Sequence, residues 1–259
     1  MVSIWSIIFM AVSLLVCLML TFGLFFILRK RLGLKAVPML VGAAGFVVFA
    51  LVLEQILHVI VLKPAPDGSI ELRNNPLLYV LYGTMAAGVF EETARFLGFK
   101  LLKKKYPGVS TGLSHGIGHG GIEVLLLAGL SMVSSIVMSV MINAGMSDVL
   151  SGVPQMAPVI EQLTGTAPWM FAMSGVERII AMAVQVSLSV VVWHSVNTKG
   201  KVWLYPLAII LHALVDVAPA MYQCGVINSI LLVEAVTAVA AAALVAGTVR
   251  MHRRIIHNA

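Results

Sequence analysis

Seven long apolar stretches make up most of this sequence and leave few folds open to it. A helix that crosses the roughly 30 Å hydrocarbon core of a bilayer needs about 20 mostly apolar residues. The stretches cover residues 4–28, 38–62, 77–100, 113–141, 170–194, 203–220 and 227–249. With 60% hydrophobic and 11% charged residues, the chain cannot be an ordinary water-soluble domain. The sequence therefore predicts an all-α polytopic transmembrane helix bundle with about seven spans, forming a single integral membrane domain over residues 1–259.

Basic residues are concentrated in one alternating set of loops. Thirteen of the 17 lysines and arginines lie in or beside residues 29–37, 101–112, 195–202 and the tail after residue 249. Cytoplasmic loops of membrane proteins carry an excess of Lys and Arg. We therefore expect an N-out, C-in orientation. The same distribution explains the net charge of +6 without a nucleic-acid partner, and it fits a bacterial plasma membrane.

Ionisable residues interrupt three of the apolar stretches, where burial makes them costly and usually functional. They are Glu91, Glu92 and Arg95 in the third stretch, His115, His119 and Glu123 in the fourth, and His212 and Asp216 in the sixth. Counted at about 1.5 Å per residue, most of these groups lie about 9–15 Å above the basic edge of the membrane. Their spacings of three or four residues place each group on one helix face. We therefore expect one layer of acids and imidazoles, with His115 lower down at the interface.

This combination of side chains is suited to the hydrolysis of a peptide bond. A carboxylate removed from bulk water can take a proton from an attacking water, and an imidazole can stabilise the oxyanion or bind a metal. The sequence contains no G-x-S-x-G motif, and both cysteines lie away from the layer, so we expect no covalent nucleophile. The small-residue ridge Gly112, Gly116 and Gly120 would let helices approach closely around such a site.

Three motifs resemble those of the YhfC family in type and order. They read EETAR at 91–95, GHGGIE at 118–123 and HALVD at 212–216. The resemblance connects the chain with the PrsW-type and the CAAX prenyl protease and bacteriocin-processing intramembrane endopeptidases. It implies a multi-helix intramembrane endopeptidase that acts on a membrane protein or a lipidated peptide within the bilayer.

The resemblance also implies roles for the first two motifs. Glu91 would be the general base that activates water, with Glu92 as its neighbour or structural support. His119 and Glu123 would hold the attacking water. Arg95, one turn nearer the basic edge, is expected to give structural support.

The third motif implies the oxyanion side of the site, and the cofactor remains open. His212 with Asp216 would support the oxyanion. The chain carries Glu123 and Asp216 where prenyl proteases usually have His and Asn. If a divalent metal such as zinc is bound, His119, Glu123 and His212 are the expected ligands. The alternative is glutamate chemistry without a metal.

Two other functions are compatible with the same residues. Acids and imidazoles on several helices also form proton relays, so a proton-coupled membrane transporter is one alternative. Such transporters commonly contain internal repeats, and this sequence shows none. The other alternative is a proteolytically inactive membrane scaffold of the same fold.

Further ionisable residues lie outside the predicted layer. In the outer half, we expect Glu54 or Glu177 to pair with Arg178 in a structural network. His194, near the end of the fifth stretch, is expected at a helix end in contact with water. Neither group is assigned a catalytic role.

Overall fold

The computed structural model describes residues 1–65, 68–146 and 156–257, and these residues form helices and connecting turns without a strand. The helices are α1 (Ile4–Leu32), α2 (Ala36–Leu62), α3 (Pro76–Leu102), α4 (Ser110–Asn143), α5 (Ala157–Gly165), α6 (Pro168–Asn197), α7 (Leu204–Gln223) and α8 (Ile230–His257). Seven of them coincide with the seven apolar stretches, so the predicted all-α membrane fold is confirmed. The short helix α5 is an addition that the hydropathy pattern did not predict.

Six of the described helices are long and apolar enough to cross a membrane, namely α1, α2, α4, α6, α7 and α8. α3 is also long, with 27 residues, but it carries Glu91, Glu92 and Arg95 in its second half. These three side chains are buried inside the bundle. Ionisable groups are tolerated in a span when they face the bundle interior and pair there.

α6 is the central helix of the bundle. In its most apolar 18-residue window, 67% of the residues are buried, against 22–39% in the other five candidate membrane spans. It packs against α1, α3, α4, α7 and α8. Leu188 and Val192 of α6 share a buried cluster with Phe99 of α3, Leu204 of α7 and Leu244 of α8. A polar side chain on α6 is therefore within reach of several helices.

Glycines on two faces of α4 pack closely against neighbouring helices: Gly118 faces α2, and Gly116 of the predicted ridge faces α6. A Cβ atom on Gly118 would lie 1.9 Å from the carbonyl oxygen of Met39 in α2. A Cβ atom on Gly116 would lie 2.7 Å from the Cα atom of Val186 in α6. Because neither backbone can move aside cheaply, only glycine fits these positions. Close packing of this kind drives helix association in a bilayer, where the hydrophobic effect between helices is weak.

Short π-helical segments interrupt α1, α2 and α4. They cover Met19–Gly23, Phe49–Glu54 and Val124–Gly129. The last begins directly after Glu123. Such π-helical turns are rare and occur frequently at functional sites. They also change the rotation of the helix, so a regular 3.6-residue period predicts the facing side chains poorly beyond them.

Candidate active site

α3 brings two carboxylates and one guanidinium into the centre of the bundle. Glu92 and Arg95 are completely buried, and Glu91 is 8% exposed. The Arg95 guanidinium contacts Glu92 Oε1 and lies 3.5 Å from Glu91 Oε2. Its Nε donates to Ser189 Oγ of α6 at 3.2 Å. A buried charge is tolerated when it is paired and hydrogen-bonded. Arg95 is the counter-ion of both carboxylates and so offsets the cost of burying them.

His119 of α4 forms its hydrogen bond with Glu91. The distance from His119 Nε2 to Glu91 Oε2 is 2.9 Å. The imidazole is fully buried, and the Phe46 ring of α2 packs edge-on against it with ring centroids 5.1 Å apart. The motif had associated His119 with Glu123, on its own helix. Instead, this imidazole connects α4 to α3 and orients the Glu91 carboxylate.

His212 of α7 lies among three carboxylates. Its Nδ1 is 2.7 Å from Glu92 Oε1. Its Nε2 is 3.3 Å from Asp216 Oδ2 and 4.0 Å from Glu91 Oε2. A carboxylate bound to one ring nitrogen fixes the tautomer and the orientation of an imidazole. Glu92 does this for His212, which leaves Nε2 on the side of Asp216 and Glu91.

Gln185 of α6 connects the separate parts of the network, and sequence analysis missed it. Its Nε2 donates to Glu91 Oε2 at 3.2 Å and also to Glu123 Oε2, while its Oε1 accepts from Arg95. A glutamine is uncharged, so a search for ionisable residues passes over it. The available signal was the stripe Arg178, Gln185 and Ser189 on one face of an otherwise apolar helix.

Arg178 borders the candidate site, which corrects its assignment to a separate outer network. Its Nη1 lies 3.7 Å from Glu123 Oε1. The expected contact with Glu177 is present. Glu54 instead pairs with His58, with 3.3 Å between Oε1 and Nε2. α4 and α6 pack closely beside this contact, since a Cβ atom on Gly120 would lie 2.9 Å from the Cβ atom of Gln185, and this close approach brings Arg178 within reach of Glu123.

A cavity of about 340 Å³ opens between α6, α7 and α8 beside this network, with room for several water molecules. Of the seven side chains predicted from the sequence, four line the cavity and three lie behind it. Those that line it are Glu91, Glu123, His212 and Asp216, and those behind are Glu92, Arg95 and His119. The residues thus divide into a group that faces the cavity and a group that is packed behind it.

Two histidines are more deeply buried than the sequence indicated. His115 is fully buried against the ring of Phe99, at a centroid distance of 4.5 Å, and does not lie at the interface. The reason is that α2 covers it, since a Cβ on Gly42 would lie 2.2 Å from the His115 carbonyl oxygen. His194 is 2% exposed and lies 2.9 Å from His252 of α8, so it is not a helix end in water.

The site has donor side chains of the types that bind zinc, but not in the arrangement of a metal centre. A catalytic zinc site needs three protein ligands around one point and an open fourth position. Imidazole and carboxylate donors of suitable type are present. Within residues 1–65, 68–146 and 156–257, however, no group of three His, Cys, Asp or Glu is arranged to hold an ion. The expected ligands His119, Glu123 and His212 do not form such a group.

Comparison with known proteins agrees with the resemblance of the three motifs. The family model described as YhfC intramembrane metalloprotease matches residues 16–237, which include every residue of the network above. The membrane protein YhfC of Bacillus subtilis (strain 168) is 36% identical over 257 residues, covering 98% of this chain and 99% of that protein. No solved structure matches the chain. The predicted membrane localisation is therefore confirmed, and the chain belongs to the YhfC intramembrane metalloprotease family.

Proposed function

We propose that this protein is an intramembrane endopeptidase in which Glu91 activates the attacking water. Membership of a family named for intramembrane metalloproteases supports peptide hydrolysis. The observation that carries the proposal is the position of Glu91 Oε2. It receives hydrogen bonds from His119 and Gln185 and lies 4.0 Å from His212 Nε2, while Glu91 itself lines the cavity. A base and an oxyanion donor are thus close enough to act on one peptide group.

Glu91 has the arrangement expected of a general base. Its Oε2 is held by donors from α4 and α6 at 2.9 and 3.2 Å. Among the described residues, no donor is bound to its Oε1, so this oxygen is available to a water in the cavity. In the first step, Glu91 takes a proton from this water and the hydroxide adds to the carbonyl carbon of the scissile peptide bond. The buried Arg95 compensates the carboxylate charge before the proton arrives.

His212 is the proposed oxyanion donor. Hydrogen-bonded through Nδ1 to Glu92, an imidazolium would present its Nε2–H to the cavity beside Asp216. As the tetrahedral intermediate forms, the substrate oxygen replaces Asp216 as acceptor of this hydrogen bond. Preorganised donors of this kind stabilise the charge that develops on the carbonyl oxygen. Glu91 then passes its proton to the amide nitrogen as the C–N bond breaks.

Glu123 and Gln185 form the opposite wall of the proposed reaction centre. Gln185 Nε2 contacts both Glu123 Oε2 and Glu91 Oε2. Arg178 lies near the other Glu123 oxygen, at 3.7 Å. We infer that Glu123 accepts the second hydrogen of the attacking water and so orients its lone pair toward the carbonyl carbon. Arg178 places a positive charge beside this second carboxylate.

The proposal is tested by comparing membranes that contain wild-type protein or the Glu91→Gln variant. New peptide termini in the membrane fraction would be quantified by mass spectrometry after expression in a bacterium. We expect a set of termini that disappears in Glu91→Gln and persists in Arg253→Gln, an exposed control at the end of α8. Identical termini in the wild type and in folded Glu91→Gln protein would contradict the proposal. Flux in liposomes coupled to a pH gradient would favour the transporter alternative.

A further inference from the structure

A cleft of uncompensated positive charge lies at the end of the bundle where α6 is followed by α7. Lys201, Arg250 and Arg254 line a cavity of about 390 Å³ there. Of the carboxylates in the described residues, none forms an ion pair with these three side chains. We call the cavity that these three residues line the basic cleft. This is the end of the molecule that the charge pattern predicts to face the cytoplasm.

A second cavity of about 840 Å³ adjoins the basic cleft and shares Lys201 and Arg254 with it. His252 and Trp193 also line this cavity. Trp193 is 9% exposed, and its indole N–H has no hydrogen-bond partner among the described residues. The second cavity therefore continues the positively charged surface of the basic cleft.

An apolar groove of about 470 Å³ leads away from the basic cleft between α7 and α8. Leu207, Leu211 and Leu214 form one side, and the other is built largely from small residues of α8. A Cβ atom on Gly247 would have no neighbour within 4 Å, so the groove is open at that point. Thr248, 7% exposed, also lines the groove, and its hydroxyl has no partner in the described part of the chain.

The dimensions of the groove match one leaflet of a bilayer. From Trp203, beside the basic cleft, to Leu214, the helical rise gives a length of about 16 Å. Half of the roughly 30 Å hydrocarbon core is about 15 Å. Trp203 lines both the basic cleft and the groove, and tryptophan is enriched where headgroups meet acyl chains.

We propose that this surface binds an anionic glycerophospholipid. Its phosphate lies in the basic cleft, and one acyl chain occupies the apolar groove. Charge complementarity selects the headgroup, because basic pockets between transmembrane helices attract anionic lipids. The far end of the groove reaches Val215, which also lines the candidate active site. The lipid chain therefore packs against one wall of that cavity. The proposal does not depend on the peptidase function.

Lipid binding is tested on the full chain, purified in a neutral detergent, by native mass spectrometry. The probes are phosphatidylglycerol, phosphatidylcholine and glycerol phosphate, which separate headgroup charge from the acyl chains. We expect retention of phosphatidylglycerol over the other two. The double variant Arg250→Gln/Arg254→Gln should weaken this retention about 25-fold, since each basic residue contributes about fivefold, or about 1 kcal/mol.

A matched control removes two basic residues that line neither cavity. The double variant Arg31→Gln/Arg253→Gln has the same net charge as the test variant and should retain phosphatidylglycerol as the wild type does. Gly247→Leu fills the groove and should weaken phosphatidylglycerol binding without unfolding the protein, because nothing lies within 4 Å of its Cβ position.

Four results would overturn the proposal. They are equal retention of phosphatidylcholine, an equal loss in the control variant, binding of glycerol phosphate as tight as that of the lipid, and unchanged lipid binding by Gly247→Leu. The third result would identify the basic cleft as a site for a free phosphate compound. The fourth would show that the acyl chain lies elsewhere.

Discussion

Glu92 Oε1 lies 2.7 Å from Nδ1 of His212, although the two residues are 120 positions apart and belong to different helices. The same carboxylate oxygen contacts Arg95 on its own helix. One buried carboxylate thus joins the ion pair of α3 to the imidazole of α7. Substitutions in either motif should therefore affect the stability of the bundle as well as the chemistry of the site.

Arg95→Met should destabilise the protein severely. It removes the counter-ion of Glu91 and Glu92, and loss of one partner of a buried pair typically costs about 3–5 kcal/mol. We expect little folded protein by size-exclusion chromatography and a lowered unfolding temperature for what remains. Arg253→Met, at the exposed end of α8, should behave as the wild type. Wild-type stability of Arg95→Met would mean that the buried carboxylates are not compensated by this residue.

His212→Ala should reduce cleavage more than Asp216→Asn. Loss of one oxyanion donor lowers kcat by about 10²–10³. Asp216 is partly exposed and contacts the imidazole only at Nε2, so its amide isostere should leave the orientation set by Glu92 intact. The rate at which wild-type-specific termini form is the measurement. A greater loss in Asp216→Asn would argue against His212 as the donor.

Gln185→Met should impair cleavage while the protein still inserts and purifies. Methionine has a similar length but cannot donate to Glu91 and Glu123. Hydrogen bonds to charged groups contribute about 1.5–3 kcal/mol, which corresponds to a loss of between about 10- and 150-fold. Gln55→Met is the matched control, because in the described part of the chain the Gln55 amide hydrogen-bonds only the Ala50 carbonyl of its own helix. Equal activity of both variants would remove Gln185 from the proposed site.

Gly118→Ala should prevent normal packing of α4 on α2. Its Cβ would lie 1.9 Å from the Met39 carbonyl oxygen, so the backbones must separate. Overpacking typically costs about 1–3 kcal/mol, and the yield of folded protein and its unfolding temperature should both fall. Gly83→Ala in α3 has no atom within 4 Å of the new Cβ and should be tolerated. Similar behaviour of the two variants would contradict the close approach of α4 to α2.

Metal dependence separates the glutamate mechanism from a metal-assisted one. We expect cleavage by the wild type to persist in the presence of a chelator, because the proposed steps use only Glu91, Glu123 and His212. Metal analysis of the purified protein should run beside this assay. Stoichiometric zinc, with inhibition by chelator and recovery on zinc addition, would replace the proposed route.

Hydropathy and residue counting alone are enough to locate much of the candidate site in the sequence. The bilayer requires every span to satisfy its own backbone hydrogen bonds, so a helix is the only form that the long apolar runs can take. The fixed rise of a helix then sets the depth of each side chain. For this reason Glu91, His119 and His212 could be assigned to one layer, and the structure brings them together.

The depth of a side chain does not determine which other side chains it touches. Those contacts are decided by the tertiary structure alone. The rotation of each helix depends on glycine contacts such as Gly118 with Met39 and on the π-helical turns, neither of which a regular period describes. His119 therefore bonds Glu91, and the neutral Gln185 joins the acids from the central helix. Contacts between helices depend on rotation and crossing of whole elements, whereas hydropathy and rise are properties of each segment alone.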